Sequence, residues 1–348
     1  MRRTRGIGRI MDDIKTQKPK PSPPPDSGLV LVLKQQWANS EGRWRTIGLA
    51  TSVAVLVALY WENLKHFTFV WSNDDNYSHG WLVAPLCIFF ANQAAQQRNR
   101  EPVATNQSSG MMLGLLLIIA GLCGRLVTVF LPIGLVADGS LIVCLAGVIA
   151  LICGTATFKK YAFPIGFLVF MIPLPVALYT MLANPLQLVV SKVASVVMTT
   201  AGIPVLCEGN MMTLPGDIRM FVAEACSGMR QLTGFLALTA AVAYLSGKPI
   251  WYRIILIASA IPVAMVANIA RVIVTGLVMY YVDPNYAKGA WHTVEGMALM
   301  MAGLALLQLE MVVLNALMEI FAAPPVPAGS SETKPDGTLR SVVKGAQA

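Results

Sequence analysis

The sequence predicts an all-α integral membrane protein whose helices cross the bilayer several times. Of its 348 residues, 55% are hydrophobic and only 13% are charged, and the mean hydropathy is +0.62. Apolar stretches of the roughly 20 residues that a helix needs to cross the hydrocarbon core recur along most of the chain. Such a composition excludes a soluble domain. Neither a signal peptide nor a phosphate-binding loop is recognised, and no nucleic-acid partner is expected.

Eight transmembrane helices are predicted, one from each long apolar stretch. Between Tyr161 and Pro185 lies a further apolar segment that contains Pro164, Pro173 and Pro175, and proline interrupts a continuous helix. We interpret it as a re-entrant or interfacial segment, because irregular backbone at membrane depth must be covered by protein or a watery cavity. The approximate bounds of the eight spans are 47–60, 80–95, 111–131, 135–155, 186–206, 227–246, 254–282 and 297–322.

The distribution of basic residues predicts the orientation, because Lys and Arg favour the cytoplasmic side. Ten of them precede Ile47, and with eight crossings most of the 26 in the chain fall on that same side. Residues 1–46 are predicted to be a basic, Pro-rich, disordered cytoplasmic tail attracted to anionic lipids. Residues 47–322 then form the transmembrane domain, and residues 323–348 form a disordered cytoplasmic tail. Both termini lie in the cytoplasm, and the segment from Cys207 to Cys226 lies on the outer face.

Three residues suited to thiol chemistry share that outer face. Cys226 lies where the hydrophilic segment gives way to a helix, so its thiol is reachable from water and the helix dipole favours the thiolate. Arg271 lies 17 residues after Ile254, which is about 26 Å of helical rise and near the outer end of its helix. His292 precedes the last span and could act as a general base. Together they predict a thiol-based acyl-transfer site.

Each of these residues also has a structural interpretation. Arg271 could extend to the lipid headgroups, and His292 could be a solvated loop residue. Cys207 could form a disulfide with Cys226 in an oxidising compartment. No Cys/His spacing indicates a metal site, and no cofactor is expected. The remaining cysteines are interpreted as packing residues in apolar spans: Cys87, Cys123, Cys144 and Cys153.

A polar and aromatic segment from Asp74 to Gly80 precedes the second span. Its side chains Asp75, Tyr77 and His79 could bind a substrate or orient the three candidate catalytic residues. The alternative is a helix cap with aromatic residues at the membrane interface.

Four motifs, taken in order, resemble the exosortase/archaeosortase family across roughly Trp71 to Leu307. They are Asp75-Asn76-Tyr77-Ser78-His79-Gly80, then Glu224-Ala225-Cys226-Ser227-Gly228 with Arg230 nearby, then Asn268-Ile269-Ala270-Arg271-Val272, and finally His292 before Gly296. The resemblance implies a membrane-embedded cysteine protease or transpeptidase with Cys226, Arg271 and His292 as its triad. The neighbouring Glu224, Arg230 and Asn268 would then contribute to substrate binding.

The same resemblance implies the partners and the location. The partners would be exported proteins that end in a Pro-Glu-Pro type motif, a transmembrane helix and a basic tail, together with membrane lipids and a lipid- or polysaccharide-linked acceptor. The enzyme would lie in the inner membrane of a bacterium. The residues leave hydrolysis and transfer both open. The competing interpretation is a transporter or scaffold component of an exopolysaccharide export machine, which intramembrane charges such as Arg125 and Lys192 would suit.

Overall fold

The structure, a computed structural model, describes residues 28–96, 107–131, 133–222, 229–283 and 290–321. It confirms an all-α polytopic membrane architecture, with ten α-helices and one small three-stranded sheet in the described part of the chain. The helices are α1 Leu29–Ala38, α2 Ser40–Leu59, α3 Trp61–Asn73, α4 Gly80–Gln96, α5 Gln107–Phe130, α6 Gly134–Phe167, α7 Val176–Thr200, α8 Met229–Leu245, α9 Ile250–Tyr281 and α10 Ala290–Phe321. The strands are β1 Leu206–Glu208, β2 Met211–Leu214 and β3 Ile218–Phe221.

Each of the eight predicted spans corresponds to one helix, namely α2 and the series from α4 to α10. By length and composition, α5, α6, α7, α9 and α10 can each cross a membrane, and the bent pair of α2 and α3 makes a sixth crossing if it counts as one span. Helices α4 and α8 have 17 residues each, which is at the short end of the range for a membrane span. The predicted span 186–206 begins earlier, at Val176, and includes Pro185 within the helix.

Helical structure begins before the predicted boundary at residue 47. Helix α1 precedes α2 and is attached to α4, because the Leu29 N–H donates to Asn92 Oδ1 (3.0 Å). The residues of the predicted tails at 1–27 and 322–348 lie outside the described residues.

Helices α2 and α3 meet at Tyr60 with a bend of 70°. Polar side chains connect the bend to the α5–α6 pair: Asn63 Nδ2 donates to Asp138 Oδ1 (2.7 Å), and Arg125 Nη1 donates to Asn63 Oδ1 (2.9 Å). Tyr60 shares a hydrogen bond with Ser140 (2.8 Å). Arg125 is thus an intramembrane cation with partners in the protein, as charge at that depth requires.

The predicted Pro-broken segment at 161–185 is interrupted near Pro173 and Pro175, and not at Pro164. Pro164 lies inside α6, whose helical dihedrals fail instead at Gly154 (φ 86°, ψ 165°). A 3₁₀ turn, Leu168–Met171, follows α6, and α7 begins directly after Pro175. Within the predicted segment the interruption is therefore confined to residues 168–175, and Gly154 is a separate kink before it. A proline at the start of α7 fits this arrangement, because the missing N–H would have no helical partner there.

Candidate active site

The outer segment predicted to be hydrophilic folds as two tight β-hairpins that lie against α7 and α9. Strand β2 pairs with both neighbours, so β1 and β3 are the edges of the sheet. The second turn has left-handed backbone at Gly216 (φ 85°) and Asp217 (φ 58°), and the first at Gly209 (φ 64°). Glycine and aspartate adopt such dihedrals at low cost. Turn chemistry therefore explains why so short a segment forms a sheet.

The sheet runs alongside the second half of α7, and its first turn lies level with the middle of that helix. The Ser191 hydroxyl donates to Gly209 O (2.7 Å), and Asn210 Nδ2 donates to Gln187 Oε1 (3.4 Å). Because Val222 N–H donates to Asn210 O (2.9 Å), the end of the β3 segment lies at this same depth. The chain thus re-enters the bundle after α7, and Val222 is completely buried.

Helix α9 faces the sheet with its carboxyl-terminal third. Its Gly276 packs against the side chains of Met198 and Met220, which join α7, β3 and α9 in one apolar cluster. Earlier on the helix lie Arg271, five residues before Gly276, and Asn268, eight residues before it, which are 8% and 3% exposed. The Oδ1 atom of Asn268 has no hydrogen-bond partner among the described residues. Burying an acceptor in this way costs about 1–3 kcal/mol, so the atom is suited to receive a donor from a ligand.

Arg271 does not lie at the outer end of its helix. Helix α9 continues ten residues further to Tyr281, about 15 Å of rise. The side chain is buried, which disagrees with the alternative of an arginine that extends to the headgroups. The buried position places the guanidinium inside the bundle, well before the end of α9.

The packing of α8 on α9 relates Arg271 to the start of α8. A cleft of about 10 Å³, room for about one water molecule, is lined by Asn268 together with Leu186, Val190 and Leu232. Helices α8 and α9 form an antiparallel hairpin, and Leu232 lies beside Asn268 at the cleft. Three residues before Leu232 is Met229, and three residues after Asn268 is Arg271. Arg271 therefore lies level with the first residue of α8.

Helix α10 is held in register by two contacts. Gly303 packs against the ring of Phe235 of α8, and the Ser259 hydroxyl of α9 donates to Glu310 Oε2 (2.6 Å). His292 lies eleven residues before Gly303 in α10, which is about 16 Å of rise toward the end of the bundle where α8 begins. Its side chain lies outside the described part.

The remaining predicted site residues divide into described and undescribed ones. Cys226 and Glu224 lie outside the described residues, and so do the side chains of Asp75 and Arg230. Cys207 carries a free thiol whose Sγ donates to Gly209 O (3.5 Å), which does not agree with its pairing with Cys226. In the described part of the chain no group of His, Cys, Asp or Glu could hold a metal ion.

The segment before α4 caps the interrupted backbone at 168–175. Three side chains donate to three carbonyls: His79 Nε2 to Phe170 O (3.2 Å), Trp71 Nε1 to Met171 O (3.0 Å) and the Tyr77 hydroxyl to Leu174 O (3.4 Å). Carbonyls at a helix end lack intrahelical partners, so these bonds satisfy them. Burial lowers the pKa of His79, partly offset by its carbonyl contacts, and burial raises the pKa of Tyr77 to about 12.

This capping segment, Asp74–His79, lies at the same end of the bundle as the start of α8. The 3₁₀ turn Asp75–Tyr77 contacts α8 directly. The ring of Phe90 on α4 lies 5.6 Å from the ring of Tyr244 on α8. Since Phe90 is ten residues after Gly80 and Tyr244 is ten residues after Gly234, the first residues of α4 lie near the beginning of α8. The capping segment and the start of α8, which are far apart in the sequence, thus lie together at one end of the bundle.

The sequence did not reveal two features of this region. Gln187 and Ser191, which are buried on α7 and bind the first β-turn, carry no pattern that distinguishes them from other polar residues in a span. The Pro-Gly-Asp turn at 215–217 was a usable signal for the hairpin.

Fold and site together define a polytopic membrane protein with a buried polar centre at one end of its helical bundle. A sequence model of the transmembrane exosortase family matches residues 71–309, more than two thirds of the chain. The chain therefore belongs to the transmembrane exosortase family, and this membership supports a membrane-embedded sorting protease or transpeptidase in general. Searches of curated proteins and of solved structures found no significant match.

Proposed function

We propose that the chain is a membrane cysteine protease or transpeptidase that cleaves the C-terminal sorting signal of exported proteins, with Cys226 as its nucleophile. The supporting observation is that the end of β3, the start of α8, Asn268 and Arg271 share one level of the bundle. Cys226 is four residues after Val222 and three before Met229. Fully extended chains of these lengths span at most about 14 Å and 11 Å, so both connections limit how far the thiol can lie from Arg271.

The reaction would proceed through a thioester. The Cys226 thiolate adds to the carbonyl carbon of the scissile peptide bond, the C–N bond breaks, and the departing amine takes a proton from His292. Water or an amine acceptor then adds to the thioester and gives its proton to His292, and the thiolate is released. Water gives hydrolysis, and an amine on a lipid- or polysaccharide-linked acceptor gives transfer.

Arg271 would stabilise the oxyanion or hold an acidic group of the substrate. A fixed cation in a site with little water can lower the barrier by a few kcal/mol. Asn268, one turn away, would accept a hydrogen bond from the substrate backbone. Tyr77 and His79 already donate to carbonyls of the 168–175 segment, so we assign them to positioning that segment. Asp75, Glu224 and Arg230 remain candidates for binding the sorting motif.

The setting favours a short recognition motif. We expect the enzyme in the bacterial inner membrane, with both termini in the cytoplasm and the site on the periplasmic face. A substrate held by its own transmembrane helix is already oriented in the plane, which removes much of the entropic cost of encounter. The recognised signal would be a Pro-Glu-Pro type motif, a transmembrane helix and a basic tail.

The test is a processing assay in cells that make the full chain and a tagged exported protein with such a signal. Cys226→Ala is expected to lower processing by at least about 100-fold, because the nucleophile is lost. Arg271→Lys keeps the charge but loses the planar donor fork, and we expect a loss of about 100-fold. Cys207→Ala removes a thiol from the neighbouring sheet and should leave processing unchanged.

The transporter or scaffold alternative predicts the opposite result. Cys226→Ala would then leave the protein fully functional, and wild type would not shorten the substrate. Processing that persists in Cys226→Ala at equal expression would mean that Cys226 is not the nucleophile.

A further inference from the structure

Strand β3 is an edge of the sheet, and its backbone pattern can be worked out from one hydrogen bond. Val222 N–H donates to Asn210 O, so this pair belongs to the hydrogen-bonded type. In an antiparallel ladder such pairs alternate with pairs whose backbone groups point away from each other. The register pairs Met212 with Met220 and Met211 with Phe221. The backbone N–H and C=O of Arg219 and Phe221 therefore point away from β2.

These outward groups have no partner in the ladder of the described sheet. Its strand order is β1-β2-β3, so β3 is paired with β2 on one side only. In the part of the chain that the structure describes, neither Arg219 nor Phe221 makes a further backbone hydrogen bond. Their side chains are exposed, 44% for Phe221 and 61% for the side chain of Arg219. The intervening Met220 is buried against α7 and α9. Among the described residues, the edge is thus packed from behind by α7 and α9 and has no strand paired to it.

The position of the edge connects it to the candidate active site. Strand β3 leads directly into Val222, which lies level with Gln187 of α7, and Cys226 follows four residues later. On the helix side, β3 contacts α9. Because four residues span at most about 14 Å, the end of β3 and any peptide paired beside it lie close to Cys226.

We propose that the outer edge of β3 binds the substrate segment around the scissile bond as an added β-strand. This inference rests on the proposed function and deepens it by naming the conformation that the site accepts. An unpaired strand edge binds an extended chain through main-chain hydrogen bonds, which are insensitive to sequence. Two outward residues supply up to four such bonds, two from each. The recognised feature is then an unfolded, extended segment next to the membrane helix of the substrate.

Side-chain preference would come from Arg219 and Phe221, which alternate with Met220 along the strand. The Arg219 Nε lies 3.3 Å from Asp217 Oδ1, in an exposed ion pair that contributes little. A carboxylate on the added strand can take over this contact. The aromatic face of Phe221 suits a proline or another apolar side chain beside it. The edge therefore favours a peptide that carries an acidic residue next to apolar ones.

Crosslinking in the inactive chain tests the docking directly. The full-length Cys226→Ala protein carries benzoylphenylalanine in place of Phe221, and the probe is a tagged exported domain followed by a short extended segment, an apolar helix and a basic tail. The matched control carries the same group in place of Leu206, which lies on the other edge of the sheet and is 61% exposed. We expect at least about tenfold more crosslinked probe from position 221 than from position 206, because β3 is the edge strand that immediately precedes position 226 in the chain.

A second experiment reads the backbone pattern from the substrate. Single proline substitutions along the extended segment of the probe, assayed with the wild-type enzyme, should slow processing by about 2- to 10-fold at alternate positions, since each removes one main-chain donor. Equal crosslinking from both edges, or proline effects without a period of two, would overturn the added strand.

The two proposals can fail separately. The crosslink forms in a chain without Cys226 and does not depend on cleavage. A probe that crosslinks at position 221 but is never shortened by wild type contradicts the peptidase and supports the edge. A probe that wild type shortens but that never crosslinks at position 221 contradicts the edge alone.

Discussion

Arg271 and Asn268 show what a single position in a span can and cannot reveal. An arginine in an apolar helix is costly unless it has a polar environment, which made Arg271 a candidate from the sequence alone. Its depth was misjudged because the rise was counted only from Ile254, whereas ten helical residues follow Arg271 up to Tyr281. Burial depends on how α7, α8 and the sheet pack around α9, and those contacts between distant segments leave no periodic signal in the sequence.

His79 is expected to make the protein less stable in acid. Burial lowers its pKa in the folded protein, so between the folded pKa and the unfolded value of about 6.5 the unfolded chain binds more protons. The free energy of unfolding therefore falls as pH drops below about 6.5 and is unaffected above it. The bond to Phe170 O also needs a ring N–H and contributes about 1 kcal/mol.

The measurement is thermal unfolding in detergent at about pH 8 and about pH 5.5, around the ordinary pKa of histidine. His79→Gln keeps a donor for the carbonyl but does not titrate, so its melting temperature should fall less on acidification than that of wild type. An identical fall in both proteins would contradict the assignment, because all other titrating groups are shared.

At the scale of elements, the helices were predictable and the connections between them were not. Long apolar stretches predicted α5, α9 and α10 well, because hydrophobicity over about 20 residues is a strong signal. The interruption at 168–175 was predicted from its prolines, although Pro164 and Pro185 lie within helices. Proline marks a weak point in a backbone, and tertiary packing decides whether the helix actually breaks there.

The α5–α6 hairpin depends on close backbone contact at glycine. A Cβ atom on Gly147 would lie 2.8 Å from the Ile118 backbone nitrogen and 2.9 Å from Gly114 O. Backbone atoms cannot move aside as a flexible side chain can, so Gly147→Ala must separate the helices. We expect a destabilisation of about 1–3 kcal/mol.

Gly139→Ala on the same helix is the matched control. No atom lies within 4 Å of the added methyl group, so the higher helix propensity of alanine should make this variant neutral or more stable by up to about 1 kcal/mol. Thermal unfolding of both variants in detergent distinguishes them. Equal stability would mean that the backbones of α5 and α6 are not in contact at Gly147.

For the whole molecule, the chain brings the 74–79 segment to the start of α8 at one end of the bundle and buries Asn268 and Arg271 between its helices. The ordered set of motifs could be recognised from the sequence, and the positive-inside pattern predicted that they share a face. What the periodicity of the sequence could not reveal was the sheet between α7 and α8, because strands of three or four residues give too little periodicity to detect and only a turn signal marks one hairpin.

The two ends of α9 allow the predicted orientation to be tested. Gly276, which packs against β3, lies 26 residues after Ile250, about 39 Å of rise and more than the hydrocarbon core of about 30 Å. The sheet and the α8–α9 turn at Lys248 must then lie on opposite sides of any membrane that α9 crosses.

Cysteines introduced singly as Arg219→Cys and Lys248→Cys, in a chain without its native cysteines, should react oppositely with a membrane-impermeant maleimide. In intact spheroplasts we expect labelling of Arg219→Cys alone, and of Lys248→Cys only after the membrane is permeabilised. The reverse pattern would place the site in the cytoplasm, where an exported protein could not reach it, and would contradict the proposed function together with the predicted orientation. Labelling of both positions from outside would instead show that α9 does not cross the membrane, and the eight-span topology would be wrong.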